Sequence, residues 1–225
     1  MNKLPKSDMK QVAVLGLGRF GIVLAKALGA TDCEVLAVDR CEERIYEVAD
    51  YVTHTVVADV SEERNLREIG ITEFDCVVVA IGDDMQSSII TALNCKHMGV
   101  EYIVAKAQTA QHAEILEKIG VDYIVIPEAD SAKKTARLLT QPQIDDIISV
   151  TADYSIAQVA VPADWAGRKL SELNLRSHYG VNVLIVITNG GINTSPAADT
   201  VLAESDRLVI GGMSSDIKTL AGKLK

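Results

Sequence analysis

Six short apolar runs, set apart by segments of helical pattern, most limit what this chain can fold into. They are "QVAVLGL" from Gln11, "EVLAVDR" from Glu34, "HTVVADV" from His54, "DCVVVAIG" from Asp75, "EYIVAKA" from Glu101 and "VDYIVIP" from Val121. Five are apolar along most of their length, as strands buried on both faces are, and the third is the weakest. Each intervening segment has room for a helix of about ten residues. The alternation predicts the α/β class: a Rossmann-like doubly wound parallel sheet with right-handed crossovers. Aromatic residues make up only 4% of the chain, so Val, Ile, Leu and Ala must build the core.

The sixth run ends at Pro127, and "EADSAKKTARLLTQP" after it reads as a helix. Leu138 and Leu139 are expected to close its apolar face, with Pro142 just past its end. This places a boundary between an N-lobe, residues 1–142, and a small α+β C-lobe, residues 143–225. In the second part "DDIISVTADYSIAQVAV" has strand character and "AGRKLSELNLRSHYG" a short amphipathic helical pattern ending at Gly180. "VNVLIVITNGGINTSP" reads as a hairpin, with Asn189, Gly190 and Gly191 supplying positive φ angles. "DRLVIGG" is a last strand and "SSDIKTLAGKLK" a last helix. No second glycine fingerprint marks the C-lobe as a duplicate of the N-lobe.

The formal net charge of −9 argues against nucleic acid as the partner and against membrane attachment through a basic patch. No apolar run is long enough to span a bilayer, and the opening "MNKLPKSDMK" lacks a secretory apolar region and reads as a short tail. The four cysteines, Cys33, Cys41, Cys76 and Cys95, have no metal spacing. They are expected to be reduced thiols of a cytosolic protein, with Cys76 buried in a strand.

The stretch "VAVLGLGRFGIVLAKAL", residues 12–28, holds glycines 16, 18 and 21 in the spacing of a dinucleotide-binding turn. Gly16 allows a sharp exit from the first strand, Gly18 removes a Cβ that would block a pyrophosphate, and Gly21 lets the helix pack closely. The helix start then offers free N–H groups and a positive dipole to phosphate oxygens. The second strand ends in Asp39, 18 residues after Gly21, where a carboxylate accepts hydrogen bonds from ribose hydroxyls. Such an acid repels a 2′-phosphate and disfavours NADP, an argument that Arg40 next door weakens. It does not separate NAD, ATP, ADP and AMP.

Asp59 in "VADVSEE" has two readings, an acceptor for an adenine amino group or an acid starting the following helix. "AIGDD" ends the fourth strand, so Ala80, Ile81 and Gly82 are expected to offer backbone to the nucleotide. Phe20 and Val60 complete the candidate lining. Arg19, inside the glycine turn, is a forked cation at a phosphate-binding helix start, suited to bidentate phosphate contacts.

A catalytic set is missing. Tyr102 and Lys106 have the Y-x-x-x-K spacing of short-chain dehydrogenases, but that pair needs a helix and here flanks a strand-like run. None of His54, His97, His112 and His178 sits in an orienting pattern with an acid, and His112 is expected on a helix surface. The residues point to a non-enzymatic nucleotide-binding protein; the alternative is an NAD-dependent oxidoreductase with an atypical active site.

The order of these stretches, with "VLAVDRCEERI", "ADVSEERNLREIGI", "DCVVVAIGDDMQSSIITALNCKHMGV" and "IVAKAQTAQHAEILEKIGVDYIVIPE", resembles the RCK (regulator of K+ conductance) family, in its Ktr- and TrkA-like branch. The resemblance covers essentially the whole chain. It implies a cytoplasmic, peripheral regulatory subunit of a membrane-embedded, KtrB-like potassium transporter subunit. It implies dimers assembling into an octameric ring, activation by ATP, inactivation by ADP, and NAD or NADH in place of these in some relatives. It further implies that Arg19 reaches a γ-phosphate across a dimer interface and that Lys106 lies near the phosphates. Glu128, in "PEAD", would be associated with Mg2+ or Ca2+ at that interface; read as a residue alone, it is equally a helix-start acid facing the dipole. In the C-lobe, Arg176 and Asn182 would lie by a site for cyclic di-AMP.

Overall fold

The computed structural model describes residue 5 and residues 9–140, 144–151 and 153–224. The expected boundary at 142/143, with Pro142, lies outside these residues, as does most of the opening tail. The chain divides between Asp130 and Ser131 into two compact units, a division that falls within one helix.

The first unit alternates strands and helices. β1 (Gln11–Leu15), α1 (Arg19–Gly29), β2 (Glu34–Asp39), α2 (Glu42–Tyr46), β3 (His54–Val57) and α3 (Glu63–Ile69) come first. They are followed by β4 (Cys76–Val79), α4 (Met85–His97), β5 (Ile103–Lys106), α5 (Ala110–Ile119), β6 (Tyr123–Val125) and α6 (Pro127–Thr140). All pairings are parallel, in the order β3-β2-β1-β4-β5-β6. The six predicted strands are therefore present. The weakest run forms the edge strand β3, which exposes Val57 and buries none of its residues. Two crossovers are shorter than expected, since α2 has five residues and α3 seven.

Two apolar layers cover the faces of this sheet. Leu15, Val38, Leu66, Val77 and Ile103 belong to one, and Val14, Leu17, Val35, Val48 and Val78 to the other. Cys76 is buried as expected, and so is Cys95; desolvation pushes both thiols up to about 12. His112, expected at the surface, is fully buried in α5. On α6, Leu138 and Leu139, expected to close its apolar face, are 47% and 79% exposed instead.

The second unit holds an antiparallel sheet of β7 (Ile144–Ser149), β8 (Tyr154–Ala160), β9 (Asn182–Thr188), β10 (Gly191–Asn193) and β11 (Arg207–Met213), in the order β10-β9-β11-β8-β7. The short helices α7 (Leu170–Leu173) and α8 (Leu175–Tyr179) and the final α9 (Ser214–Ala221) complete it. Trp165, Leu175, Val186, Leu208, Ile210 and Ile217 share its core. The expected single helix before Gly180 is broken at Asn174, whose φ of 43° is left-handed. His178 Nδ1 donates to the Leu173 carbonyl across that break, at 3.0 Å, which gives this residue a structural part. The hairpin forms as expected, but of its three turn residues only Gly191 has positive φ; Thr188 Oγ instead accepts the Gly190 amide.

Candidate nucleotide site

The sheet reverses direction of growth between β1 and β4, and ligands of such sheets bind outside the strand ends at that switch point. Gly16 extends β1 there, donating its amide to the Val38 carbonyl at 2.8 Å, while Ala80 donates to Leu15 at 2.7 Å. The chain then turns sharply through Gly16 at φ 97°. A Cβ on Gly21 would stand 2.0 Å from the Gly16 carbonyl oxygen, so the helix can seat on this turn only with glycine at 21. Gly18 is different: among the described residues nothing beyond its chain neighbours lies within 4 Å of a Cβ built there. Gly18 is also the α1 N-cap, without a capping side chain. Within the described residues the amides of Arg19 and Phe20 meet no acceptor, which leaves donors of the kind that helix starts present to anions.

Asp39 ends β2 only 5% exposed. Its Oδ2 accepts the Leu17 amide at 2.6 Å and its Oδ1 the Cys41 amide at 2.8 Å, and the Arg44 guanidinium lies 3.5 Å away. The acid thus fixes the glycine turn itself while lining the crevice beside it. Asp59 does not cap α3, whose N-cap is Glu62. It accepts instead from the Ser61 hydroxyl at 2.7 Å and the Ser61 amide at 3.0 Å, contacts that hold its carboxyl below the usual range.

Two adjoining crevices open here. The first brings together Gly16, Asp39, Arg40, Asp59, Val60 and Ile81. The second brings together Arg19, Phe20, Ala80, Lys106, Gln108 and Glu128. Gly18, Arg44, Gly82 and Asp83 line both, so the two meet at the glycine turn. Every N-lobe candidate except Gly21 lines one or the other; Gly21 packs behind the turn. Tyr102 precedes β5 and Lys106 ends it, so the pair shares no helix face.

In the second crevice Lys106 Nζ donates to Glu128 Oε1 at 3.0 Å. Lys106 is 9% exposed, and its ammonium lies 3.3 Å from where a Cβ on Gly82 would stand, so glycine at 82 leaves it room. The Lys106 hydrogen bond is the main cause holding the Glu128 carboxyl below its ordinary range, with the Arg19 charge adding to it. Among the described residues no three His, Cys, Asp or Glu side chains gather to hold a metal ion. A divalent cation at Glu128 therefore needs oxygens beyond those that one copy of the chain gathers there.

The sequence reading missed Arg44 and Ser87, and it took Asp83 and Asp84, in "AIGDD", for backbone only. Asp84 caps α4, accepting from the Ser87 amide at 3.1 Å and its hydroxyl at 2.7 Å, and D-x-x-S after a strand was a readable capping signal. Arg44 had no signal beyond its position on a short helix. In the second unit Arg176 lies on α8 and Asn182 opens β9, both exposed. No helix among the described residues is long and apolar enough to cross a membrane.

The glycine turn, the acid-ended second strand and the crevices at the switch point define a nucleotide-binding lobe of Rossmann type, followed in the chain by a small antiparallel lobe. Residues 12–127 match the TrkA-N domain family and residues 156–225 the TrkA-C domain family. The chain is similar to Ktr system potassium uptake protein A of Bacillus subtilis (strain 168), at 40% identity over 93% of this chain and 94% of that protein. Its counterpart, protein C of the same organism, is 37% identical over 92% and 94%. Among solved structures, the GsuK RCK domain shares the fold at a TM-score of 0.67 and 16% identity, over 98% of this chain and 49% of that one. GsuK bound to ADP matches at a TM-score of 0.52 and 25% identity, over 59% of this chain and 34% of that one. The chain belongs to the TrkA-N domain family, in the form that joins a TrkA-N to a TrkA-C domain as the Ktr potassium uptake proteins do, and it has the RCK-domain fold.

Proposed function

We propose that the chain is the nucleotide-sensing regulatory subunit of a Ktr-type potassium transporter, a gating protein without catalysis of its own. One observation carries the reading: the two crevices meet at the glycine turn, with Asp39 and Asp59 lining the first beside Arg40, and Arg19 and Lys106 lining the second beside Glu128. An adenosine nucleotide fits this arrangement. Asp39 would take the ribose and Asp59 the adenine amino group, and the unpaired amides at the α1 start would take phosphate. The names of the relatives, potassium uptake proteins, and of the ADP-bound neighbour support it.

ATP and ADP differ by one phosphate, a compact charge placed where Arg19 ends its reach. In the proposed dimer Arg19 meets that phosphate from the neighbouring copy, so ATP and ADP favour different interface geometries by their differential affinity. ATP is the activating ligand and ADP the inactivating one, with NAD or NADH as the competing occupants. Glu128 would contribute one oxygen to Mg2+ or Ca2+, the rest coming from phosphate, water and the second copy. The dimers would form an octameric ring against a membrane-embedded transporter subunit on its cytoplasmic side. The second unit would bind cyclic di-AMP near Arg176 and Asn182.

Titration calorimetry with ADP and ATP in the presence of Mg2+ tests the core of this. Absence of binding by either nucleotide overturns it. Arg19→Ala is expected to keep ADP affinity while reducing the difference in small-angle scattering between the ADP and ATP states. Equal loss of affinity for both nucleotides would make Arg19 an anchor of shared phosphates.

A further inference from the structure

His112 is fully buried at the third position of α5. Its amide donates to Thr109 Oγ at 3.1 Å, and its Nδ1 accepts the Gln108 amide at 3.3 Å. This is the logic of a capping box, in which the third helical side chain reaches back to an amide at the helix start. Here an imidazole does it, and it reaches one residue further back. An imidazole that accepts at Nδ1 carries its proton on Nε2. Nε2 has no partner among the described residues. A glutamate would close the same turn without burying an unpaired N–H, so the choice of histidine is not explained by capping alone.

The loop it closes carries Lys106 and Gln108, both of which line the crevice assigned to phosphates. Charged groups on the surrounding elements are engaged elsewhere. Lys96 of α4 pairs with Asp122 at 3.7 Å, Lys106 with Glu128 at 3.0 Å, and on α5 itself Lys118 with Glu114 at 2.8 Å. Burial alone acts on the imidazole and keeps it neutral, the only form that can accept at Nδ1.

We propose that His112 is a positioning residue of the nucleotide site, a neutral imidazole clasp that holds Gln108, and with it Lys106, in place for the phosphates. The proposal rests on the nucleotide reading of the crevices. It differs from a simple cap in requiring that ligand affinity follow the clasp.

The test is ADP calorimetry and amide exchange at Gln108 on the full chain, for the wild type, His112→Leu and His112→Asn. Leucine fills the space without an acceptor; asparagine offers a carbonyl oxygen where Nδ1 lies. His112→Leu is expected to speed exchange at Gln108 and weaken ADP binding about tenfold, and His112→Asn to restore most of both. Nitrogen-15 shifts of the wild-type imidazole are expected to report the Nε2–H tautomer. Faster exchange in His112→Leu with wild-type ADP affinity overturns the proposal, and so does an Nδ1–H tautomer. If the leucine variant does not fold, the wild type decides: ADP must slow exchange at Gln108, and unchanged exchange overturns the clasp. A wild type that binds no ADP overturns the nucleotide reading itself, a result distinct from a binding wild type with indifferent variants.

Discussion

The Leu17 amide donates to Asp39 Oδ2 at 2.6 Å, and this bond joins the glycine turn to the acid that ends the second strand. The two parts of the fingerprint, 22 residues apart, form one hydrogen-bonded unit. Asp39→Asn removes an acceptor oxygen and puts an amide donor against one of two backbone amides. It is expected to cost about 1–3 kcal/mol of stability in chemical denaturation, together with a loss of ADP affinity. Wild-type stability with lost affinity would mean that Asp39 serves only the ligand.

Gly18 and Gly21 separate ligand approach from folding. Gly21→Ala forces a Cβ against the Gly16 carbonyl and is expected to destabilise the chain by about 1–3 kcal/mol. Gly18→Ala meets open space at an ordinary backbone angle, φ −71°, and is expected to change stability by less than about 0.5 kcal/mol. Its ADP affinity is expected to fall about tenfold, because the new methyl group points where phosphate must come. Unfolding midpoints and calorimetry on the two variants check both halves.

Lys106 and Glu128 should have opposite effects on ADP. Glu128→Gln removes a negative charge beside the phosphate path and loosens the hold on Lys106, so in chelator its ADP affinity is expected to rise about threefold. Lys106→Met is expected to lose affinity, with a weaker dependence of binding on salt. A parallel loss in both variants would show that the ion pair itself shapes the crevice.

Acid should destabilise the first unit through His112. Burial lowers its folded pKa, so as pH falls through about 6.5 the unfolded chain takes up a proton that the folded chain refuses. The contribution of neutral His112 is therefore present above that range and lost below it. Denaturation at about pH 7.5 and about pH 6 is expected to show a smaller pH dependence for His112→Asn than for the wild type. An identical dependence would assign the effect to other groups.

The parallel sheet was legible because its runs are buried on both faces and read as unbroken apolar stretches; β3, at the edge, was the weakest signal for the same reason. Asp39 and the glycines were legible because their chemistry lies at fixed spacing. His112 was misread as surface although it stands four residues before buried Leu116, on the same stripe of α5. A polar residue on an apolar stripe reveals its partner only when the loop before the helix is in place. Lys106 and Glu128 were read as separate charges, because their pairing depends on β5 and the α6 start lying side by side, which spacing alone does not encode. Asn174 breaks one helical pattern into two through a left-handed angle that asparagine tolerates and the periodicity conceals.

The Lys106–Glu128 contact has a thermodynamic consequence for a sensor. With its own carboxylate already seated on the phosphate-side ammonium, the chain holds a resident competitor for any incoming anion. On the proposed reading, nucleotide binding there is a substitution, and its free energy is the difference between two anions rather than the full attraction of one. Such a site fills at a higher nucleotide concentration than one whose cation stands unpaired, and it releases its ligand the more readily for it.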